Sequence, residues 1–420
     1  MHILYLHQYF VPPDGNGGTR SYEMARRLVK AGHRVTMITT NAFFPDHYNL
    51  SKATTSLVMD GINLRIIKVP YSNRLSYTQR IKAFFDFAAK ASIEAVRVKS
   101  VDLVFATSTP LTIAVPGMVG RIWHKRSMVF EVRDLWPELP IAIGALRNPL
   151  LKALATWLER TAYTHSSHIV ALSPGMKDGI VRIGFSADKV TVIPNSCDVD
   201  LFRGDRRSQS EARFPFKSDG PVILYAGTFG PINGVEYLVE VAKEMLNLYE
   251  SVRFVIAGDG RQKDLLIKQA RSQGVLGKNL WIIPPVKKEE MPSLLSASTI
   301  ATSLFINLPE MWKNSANKFF DALAAGRSVM INYGGWQADI INETGAGLVV
   351  PPDDPAAAAR LLHDFLLDKE RMKKARAAAT LLSDTEFNRD RLFGKLLDVF
   401  ESVQRNMPES RHKAADRFYR

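Results

Sequence analysis

Lys318 and Asp321 stand three residues apart in the stretch SANKFFDALAAGRSVM, residues 315–330. The stretch predicts a helix with Ser315 as its N-cap and an end at Gly326. A helix N-terminus attracts anions, so a lysine in the first turn indicates either a bound phosphate or a solvent-exposed ion pair with Asp321. The stretch alone does not decide between these two.

Three glycine-rich loops follow predicted strands and precede predicted helices or turns. Their candidate ligand-contacting residues are Gly17 and Gly18 in the first loop, Gly227, Thr228 and Gly230 in the second, and Gly258 and Asp259 in the third. Each loop alone is explained by turn formation, or by close approach of backbone to a ligand. All three loops and the helix of Lys318 follow the carboxyl ends of predicted strands, where ligands bind in open α/β sheets. Together they favour a ligand that carries phosphate.

The first loop is not a dinucleotide fingerprint, because the next strand ends in Thr39, Thr40 and Asn41 with no acid for a ribose hydroxyl. A metal site is also not indicated. Asp198 and Asp200 have carboxylate-pair spacing but lack further acids, and the nine histidines have no zinc-like spacing. No nucleophile elbow or Walker lysine occurs.

Length and composition indicate an ordinary soluble protein of two or more domains. The chain has 420 residues, 46% hydrophobic and 23% charged. A single cysteine, Cys197, suits a reducing compartment. Because no signal peptide or long apolar run is evident, we expect a cytoplasmic location.

The positive charge is concentrated in the first half, with a net +10 in residues 1–168 and +3 in the remainder. Without a nucleic-acid-binding motif, this asymmetry favours an anionic membrane surface over nucleic acid as a partner. Residues 71–99 have the composition of an interfacial basic helix, and the candidate membrane contacts are Arg80, Lys82, Phe84 and Phe85. The alternative is a surface helix whose phenylalanines face the core.

Short β-rich runs alternate with helical patterns, which is typical of parallel sheets built from βαβ units. The predicted strands are 2–9, 34–40, 64–69, 102–108, 128–134, 168–173, 190–195, 222–227, 253–260, 280–286, 299–305, 328–334 and 347–353. The pattern predicts an α/β protein with two doubly wound domains. The predicted boundaries are 1–200, a linker 201–220, 221–384, and a helical tail 385–420 that packs back on the first domain.

Several motifs in this order resemble glycosyltransferase family 4, the retaining enzymes of the GT-B fold. They are EVRDLWPELP, LSPGM, VIPNSCDVDLF, YAGTFG, AGDG and NKFFDALAAGRSV, and they are most similar to the O-antigen and capsule branch with its fucosamine transferases. The resemblance implies two Rossmann-like domains facing across a cleft. It also implies a nucleotide sugar on the second domain, an acceptor on the first, and no metal.

The resemblance assigns roles to individual residues. Asp321 falls at the second position of the family's glutamate motif and would hold the ribose, while Asn317, Lys318 and the helix amides would take the diphosphate. Three positions depart from the family: Lys313 replaces the first glutamate, Thr228 and Asn233 replace an arginine and a lysine, and Arg133 replaces a histidine before Asp134.

In the implied mechanism, Lys318, the amides of Gly227–Gly230 and Arg133 stabilise the leaving diphosphate. Asp134 either orients the acceptor hydroxyl or pairs with Arg133. The expected reaction moves a sugar such as FucNAc from a nucleotide diphosphate, UDP in preference to GDP, to a lipid-linked glycan of surface polysaccharide. The enzyme would sit peripherally on the inner face of the membrane.

Two other functions remain compatible with the sequence. One is a catalytically inactive GT-B scaffold of a glycan-assembly complex, which the missing glutamate and arginine would explain. The other is a nucleotide-sugar epimerase. The sequence shows no histidine or carboxylate cluster for its acid and base chemistry.

Overall fold

The computed structural model describes residues 1–15, 17–71, 75–202, 214–216 and 220–406. The chain forms two compact units. The first comprises Met1–Pro194 together with the last helix from Leu392, and the second comprises Asn195–Arg391. The boundary between the two units follows Pro194, whereas the sequence predicts that the first domain ends at residue 200.

The first unit is built on one sheet of eight strands, in the order β3-β4-β2-β1-β5-β6-β7-β8. All neighbouring strands are parallel except β3, which is antiparallel to β4. The strands are β1 His2–Leu6, β2 Arg34–Thr40, β3 Thr54–Met59, β4 Ile62–Ile67, β5 Leu103–Thr107, β6 Ser127–Val132, β7 His168–Ala171 and β8 Val190–Val192.

The sequence prediction missed β3. Its hairpin signal is the dipeptide Asp60-Gly61, and both residues have positive φ (47° and 79°), as a two-residue hairpin turn requires. The Tyr22 hydroxyl donates to Asp60 Oδ2 at 2.6 Å and ties this turn to the first helix. The strand was missed because parallel βαβ alternation was assumed throughout this half.

Both faces of the first sheet are covered. Its helices are α1 Arg20–Lys30, α2 Tyr77–Arg97, α3 Ala114–His124, α4 Glu138–Ala142, α5 Pro149–Thr164 and α6 Pro174–Arg182, and the C-terminal helix α15 Arg389–Arg405 returns to it. Along β1, Leu4 and Leu6 pack in one core cluster, whereas Ile3 and Tyr5 pack in the other. Two-sided burial explains why the strands read as continuous apolar runs.

The second unit contains six parallel strands in the order β11-β10-β9-β12-β13-β14. They are β9 Val222–Ala226, β10 Arg253–Ala257, β11 Leu280–Ile283, β12 Ile300–Ser303, β13 Ser328–Ile331 and β14 Gly347–Val349. The helices are α7 Val199–Phe202, α8 Glu236–Leu248, α9 Lys263–Ser272, α10 Met291–Ala297, α11 Asn317–Ala324, α12 Trp336–Thr344, α13 Pro355–Leu367 and α14 Lys369–Asp384. Two α/β units with doubly wound sheets confirm the predicted fold class.

The predicted start of α11 was wrong. Ala316, not Ser315, is the N-cap residue, and no side chain caps it. Ser315 is engaged elsewhere, since its hydroxyl oxygen accepts the N–H of Asn195 at 2.9 Å. The helix ends as expected, with Gly326 in the left-handed region (φ 60°).

Most of the predicted linker 201–220 lies outside the described residues. The described segment 214–216 belongs to the second unit, where the Phe216 ring lies 4.2 Å from the Trp281 ring of β11. In the part of the chain that the structure describes, no helix is both long and apolar enough to cross a bilayer.

Helix α15 completes the core of the first unit. The Phe400 side chain is fully buried, and its ring centroid lies 5.0 Å from that of Phe105 on β5. We expect Phe400→Ala to lower the free energy of unfolding by about 3–5 kcal/mol, because it leaves a cavity against the sheet. Urea denaturation followed by circular dichroism measures this loss. The exposed Ser402→Ala on the same helix is the control, and equal midpoints for the two variants would contradict the role assigned to α15.

Candidate functional site

The strand order of the second unit changes direction between β9 and β12. In open α/β sheets, ligands bind at this point, beyond the carboxyl ends of the strands. The loop after β9 carries Gly227, Thr228 and Gly230, and the segment after β12 leads into α11 with Lys318 in its first turn. The fold therefore brings two of the predicted ligand-contacting segments to one crevice.

Lys318 lies directly against the glycine loop. A Cβ atom added to Gly227 would fall 2.3 Å from Lys318 Cε, so a side chain at position 227 would force the end of the lysine to move. The Lys318 amine lies 5.2 Å from the centroid of the Tyr225 ring. Burial lowers the pKa of Lys318 to about 8, and the nearby Asp321 opposes this shift. A partly desolvated amine held here is suited to an anionic ligand.

Asp321 does not form the surface ion pair with Lys318 that the sequence left open. Its Oδ1 accepts a hydrogen bond from Lys288 Nζ at 2.9 Å, and both side chains are mostly buried. Lys288 follows β11 and also lies 5.0 Å from the Phe202 ring centroid. Sequence analysis missed Lys288; the Lys287-Lys288 pair after a predicted strand was the available signal.

The glycines of the two loops in this unit allow the loops to pack on each other. A Cβ atom at Gly258 would lie 1.9 Å from the Gly227 carbonyl oxygen. The Gly227 N–H donates to the Ala257 carbonyl at 2.9 Å, and the Gly258 N–H donates to the Ile283 carbonyl at 3.1 Å. The Gly227 amide is therefore engaged within these loops, and phosphate binding by the Gly227–Gly230 amides stays a prediction.

The other predicted donor residues lie at the edge of the crevice. Thr228 and Asn317 are exposed. Asp259 is also largely exposed and pairs with Lys263 at 3.6 Å. Within the described part of the chain, the N–H groups of Thr228 and Gly230 have no hydrogen-bond partner. Their roles stay predictions.

Glu310 is a further acid near this crevice. It lies in the turn Pro309–Lys313 after β12 and is partly buried. Its Oε2 atom is buried and, among the described residues, lacks a hydrogen-bond partner. The sequence had placed Lys313 at the family's first glutamate position, and Glu310 is an acid on the same turn.

In the first unit, Arg133 and Asp134 follow β6, near the point where the strand order changes direction between β1 and β5. Arg133 Nη1 donates to His7 Nε2 at 3.2 Å, and the Arg133 N–H donates to Ser108 Oγ at 2.9 Å. Burial and the Arg133 charge hold the pKa of His7 well below its ordinary value, so the imidazole is neutral. Sequence analysis missed His7, although it directly follows β1.

Asp134 is not paired with Arg133, since no ion pair within 4.0 Å joins them among the described residues. Its carboxylate instead accepts a hydrogen bond from the Thr109 side chain. Burial raises the pKa of Asp134 to about 6. A carboxyl group with this pKa can accept a proton from a hydroxyl near neutral pH.

A buried ion pair fixes the strand ends beside these residues. Arg20 donates to Glu131 Oε1 from Nε (3.1 Å) and Nη2 (2.8 Å), and its Nη1 donates to the Pro194 carbonyl at 2.6 Å. The Thr107 hydroxyl donates to Glu131 Oε2. The Arg20 guanidinium and this hydrogen bond hold the pKa of Glu131 below its ordinary value. No local sequence pattern indicates this long-range pair.

The remaining loop of interest precedes α1. Gly17 is exposed and Gly18 is partly buried. A Cβ atom at Gly17 would lie 3.2 Å from Val11 Cγ2, a tight contact within the loop itself. The acceptor role of both glycines stays a prediction.

Helix α2 holds the predicted membrane contacts. Phe87 is fully buried in the core, whereas Phe85 is 51% exposed. Phe84 lies between these extremes, 6.4 Å from the Tyr9 ring and 6.5 Å from the Trp136 ring. Lys82 is exposed and Arg80 is partly buried. One face of the helix packs and the other meets solvent; Arg74 of the predicted segment lies outside the described residues.

Comparison with known proteins agrees with this architecture. Residues 15–196 match the family model "Glycosyl transferase 4-like domain", and residues 206–381 match "Glycosyl transferases group 1". The chain belongs to this family of glycosyltransferases. Between them the two matches include Gly17 and Gly18, both glycine-rich loops of the second unit, and all of α11.

Two relatives and one solved structure illustrate the similarity. The colanic acid biosynthesis glycosyl transferase WcaI of Escherichia coli (strain K12) is 23% identical over 66% of this chain and 70% of its own length. The glycosyltransferase WbjE of Pseudomonas aeruginosa is 23% identical over 74% of this chain and 78% of its own. Anabaena HepE, solved with UDP and glucose, superposes with a TM-score of 0.72 at 16% identity, covering 96% of this chain and 100% of HepE.

The lowered pKa of Lys318 predicts a pH-dependent affinity for a diphosphate. Because this pKa is about 8, the amine is charged and attracts the anion at lower pH, and it loses its charge at higher pH. We expect the Kd for UDP to rise by up to roughly tenfold between pH ~8 and ~9, as one lost proton allows. Isothermal titration calorimetry measures this Kd. The Lys318→Met variant should bind UDP weakly at every pH. An equally steep rise in Lys318→Met would refute the assignment.

Proposed function

We propose that this chain transfers a sugar, with retention of configuration, from a nucleotide diphosphate sugar held by its second unit. The observation that carries the proposal is the partly desolvated Lys318 amine against Gly227, at the switch point of that sheet. A cation in low-dielectric surroundings stabilises the charge that develops on a leaving diphosphate. No metal is needed for this role, because Lys318 supplies the positive charge.

The donor is proposed to be linked to UDP. Support comes from HepE, a protein of the same fold that was solved with UDP and glucose. In our proposal Asp321 accepts hydrogen bonds from the ribose hydroxyls, and Lys288 holds that carboxylate in place. Thr228, Gly230 and Asn317 border the phosphates, and Gly258 and Asp259 border the nucleoside.

The acceptor is proposed to bind the first unit, where Asp134 orients its hydroxyl. A carboxyl group with a pKa of about 6 is largely ionised at neutral pH and can accept the hydroxyl's hydrogen bond. Arg133, positioned by the neutral His7, adds positive charge at this edge.

The biological setting we propose is surface polysaccharide assembly, with a lipid-linked glycan as acceptor and an N-acetylated deoxyhexose such as FucNAc as donor sugar. Support comes from WcaI, named for colanic acid biosynthesis, and from the basic first half of the chain. A lipid-linked acceptor would require the enzyme to work at the inner face of the membrane.

The donor site is tested by replacing its two charged groups. We expect Lys318→Ala and Asp321→Asn each to lower sugar transfer at least roughly tenfold, about 1.4 kcal/mol of transition-state stabilisation. Donors are first selected by a thermal-shift panel of UDP and GDP sugars, because a ligand that binds only the folded state raises its melting temperature. Lys268→Ala, which changes an exposed lysine of α9 with no assigned role in the site, is the matched control. Full activity in folded Lys318→Ala would exclude the assigned role.

Membrane association is tested on α2. Each basic residue near an anionic surface contributes about 1 kcal/mol, so Arg80→Glu/Lys82→Glu should weaken binding to acidic vesicles strongly and in a salt-sensitive way. Co-sedimentation with neutral and acidic liposomes measures it. The control is Lys268→Glu/Arg271→Glu on α9 of the second unit, where a matched charge reversal should leave binding nearly intact. Equal partition of the wild type to both vesicle types would contradict the membrane proposal.

A further inference from the structure

An open apolar groove lies between α2 and α5 of the first unit. It encloses about 160 Å³, and all but one of its lining residues are apolar. Leu111 and Leu158 form a buried floor, and Phe84 and Trp136 stand at its sides. The opening is bordered by Leu154 (46% exposed) and Trp157 (59% exposed).

The groove shares its walls with the proposed acceptor site. Pro110 and Leu111 line it, one and two residues after the Thr109 whose side chain bonds the Asp134 carboxylate. Trp136 lines it two residues after Asp134. A molecule bound at Asp134 therefore has an apolar channel beginning at the same two loops.

The surroundings of the groove are positively charged. Four basic residues, Arg80, Lys82, Arg147 and Lys152, lie close in sequence to lining residues, against two acids, Asp86 and Glu159, so the border has a net positive charge. Such a border is complementary to an anionic group attached to an apolar chain. Exposed apolar side chains at this density also mark a binding site in a soluble domain.

We propose that this groove binds the hydrocarbon chain of a lipid-linked acceptor, next to the point where its sugar hydroxyl meets Asp134. The proposal rests on the proposed function, because it extends that function's acceptor. Transfer of the hydrocarbon chain from water into the apolar groove is favourable, and the bordering cations stabilise the lipid's phosphate groups. The groove would thereby select acceptors that carry lipid over free sugars.

The first test measures binding of farnesyl diphosphate to the full chain by calorimetry, with inorganic diphosphate as the comparison ligand. We expect the prenyl compound to bind at least roughly tenfold more tightly, since its chain buries apolar surface. Trp157→Gln and Leu154→Gln should each remove most of this advantage. Both side chains are substantially exposed, so the fold should tolerate the changes.

Two matched controls separate the groove from general surface hydrophobicity. Trp123 and Ile122 are each 62% exposed in the same unit but do not line the groove. Trp123→Gln and Ile122→Gln should therefore bind farnesyl diphosphate as the wild type does. Equal losses from Trp123→Gln and Trp157→Gln would instead indicate an unspecific membrane-contacting surface and overturn the proposal.

Three further outcomes are decisive. A wild-type chain that binds UDP but not farnesyl diphosphate overturns the groove and leaves the proposed donor function standing. A chain that binds farnesyl diphosphate at the groove but no nucleotide sugar overturns the proposed function instead. If Trp157→Gln converts a dimer to a monomer in sedimentation without changing prenyl binding, the groove is a contact between copies of the chain and the proposal fails.

Discussion

The candidate site of the second unit depends on the close approach of the Lys318 side chain to the backbone of Gly227. The stem of Lys318 occupies a place from which any side chain at position 227 would displace it. Burial there disfavours the charged amine by about 3 kcal/mol, the equivalent of its pKa shift. Such a destabilising group is retained when a ligand's charge compensates it.

The rest of the crevice is consistent with that constraint. Gly258 lets the loop after β10 pack on the loop after β9, which carries Gly227. Lys288 balances Asp321 and leaves Lys318 without a full ion-pair partner among the described residues. The unit therefore keeps one cation poised for an external anion while its neighbouring acid is held by another cation.

In the first unit, a buried ion pair holds polar groups in fixed positions at the sheet edge. The Arg20 and Glu131 pair crosses from α1 to β6 and reaches the carbonyls after β8, so three segments are fixed by one guanidinium. Buried charges of this kind are tolerated because their hydrogen bonds are satisfied. This frame positions Arg133 and Asp134, and the apolar groove begins at the same loops.

The sequence by itself determined the fold class, the predicted strands and the glycine loops, because periodicity and turn composition are local properties of the chain. It also singled out Lys318 in the first turn of α11. Tertiary structure alone decided that Lys288 pairs with Asp321 and that His7 accepts a hydrogen bond from Arg133. It also decided that the Ser315 hydroxyl accepts the Asn195 N–H and does not cap α11, and that α2 and α5 form a groove. Each of these contacts joins residues far apart in the chain, and only the packing of separate elements fixes such distances.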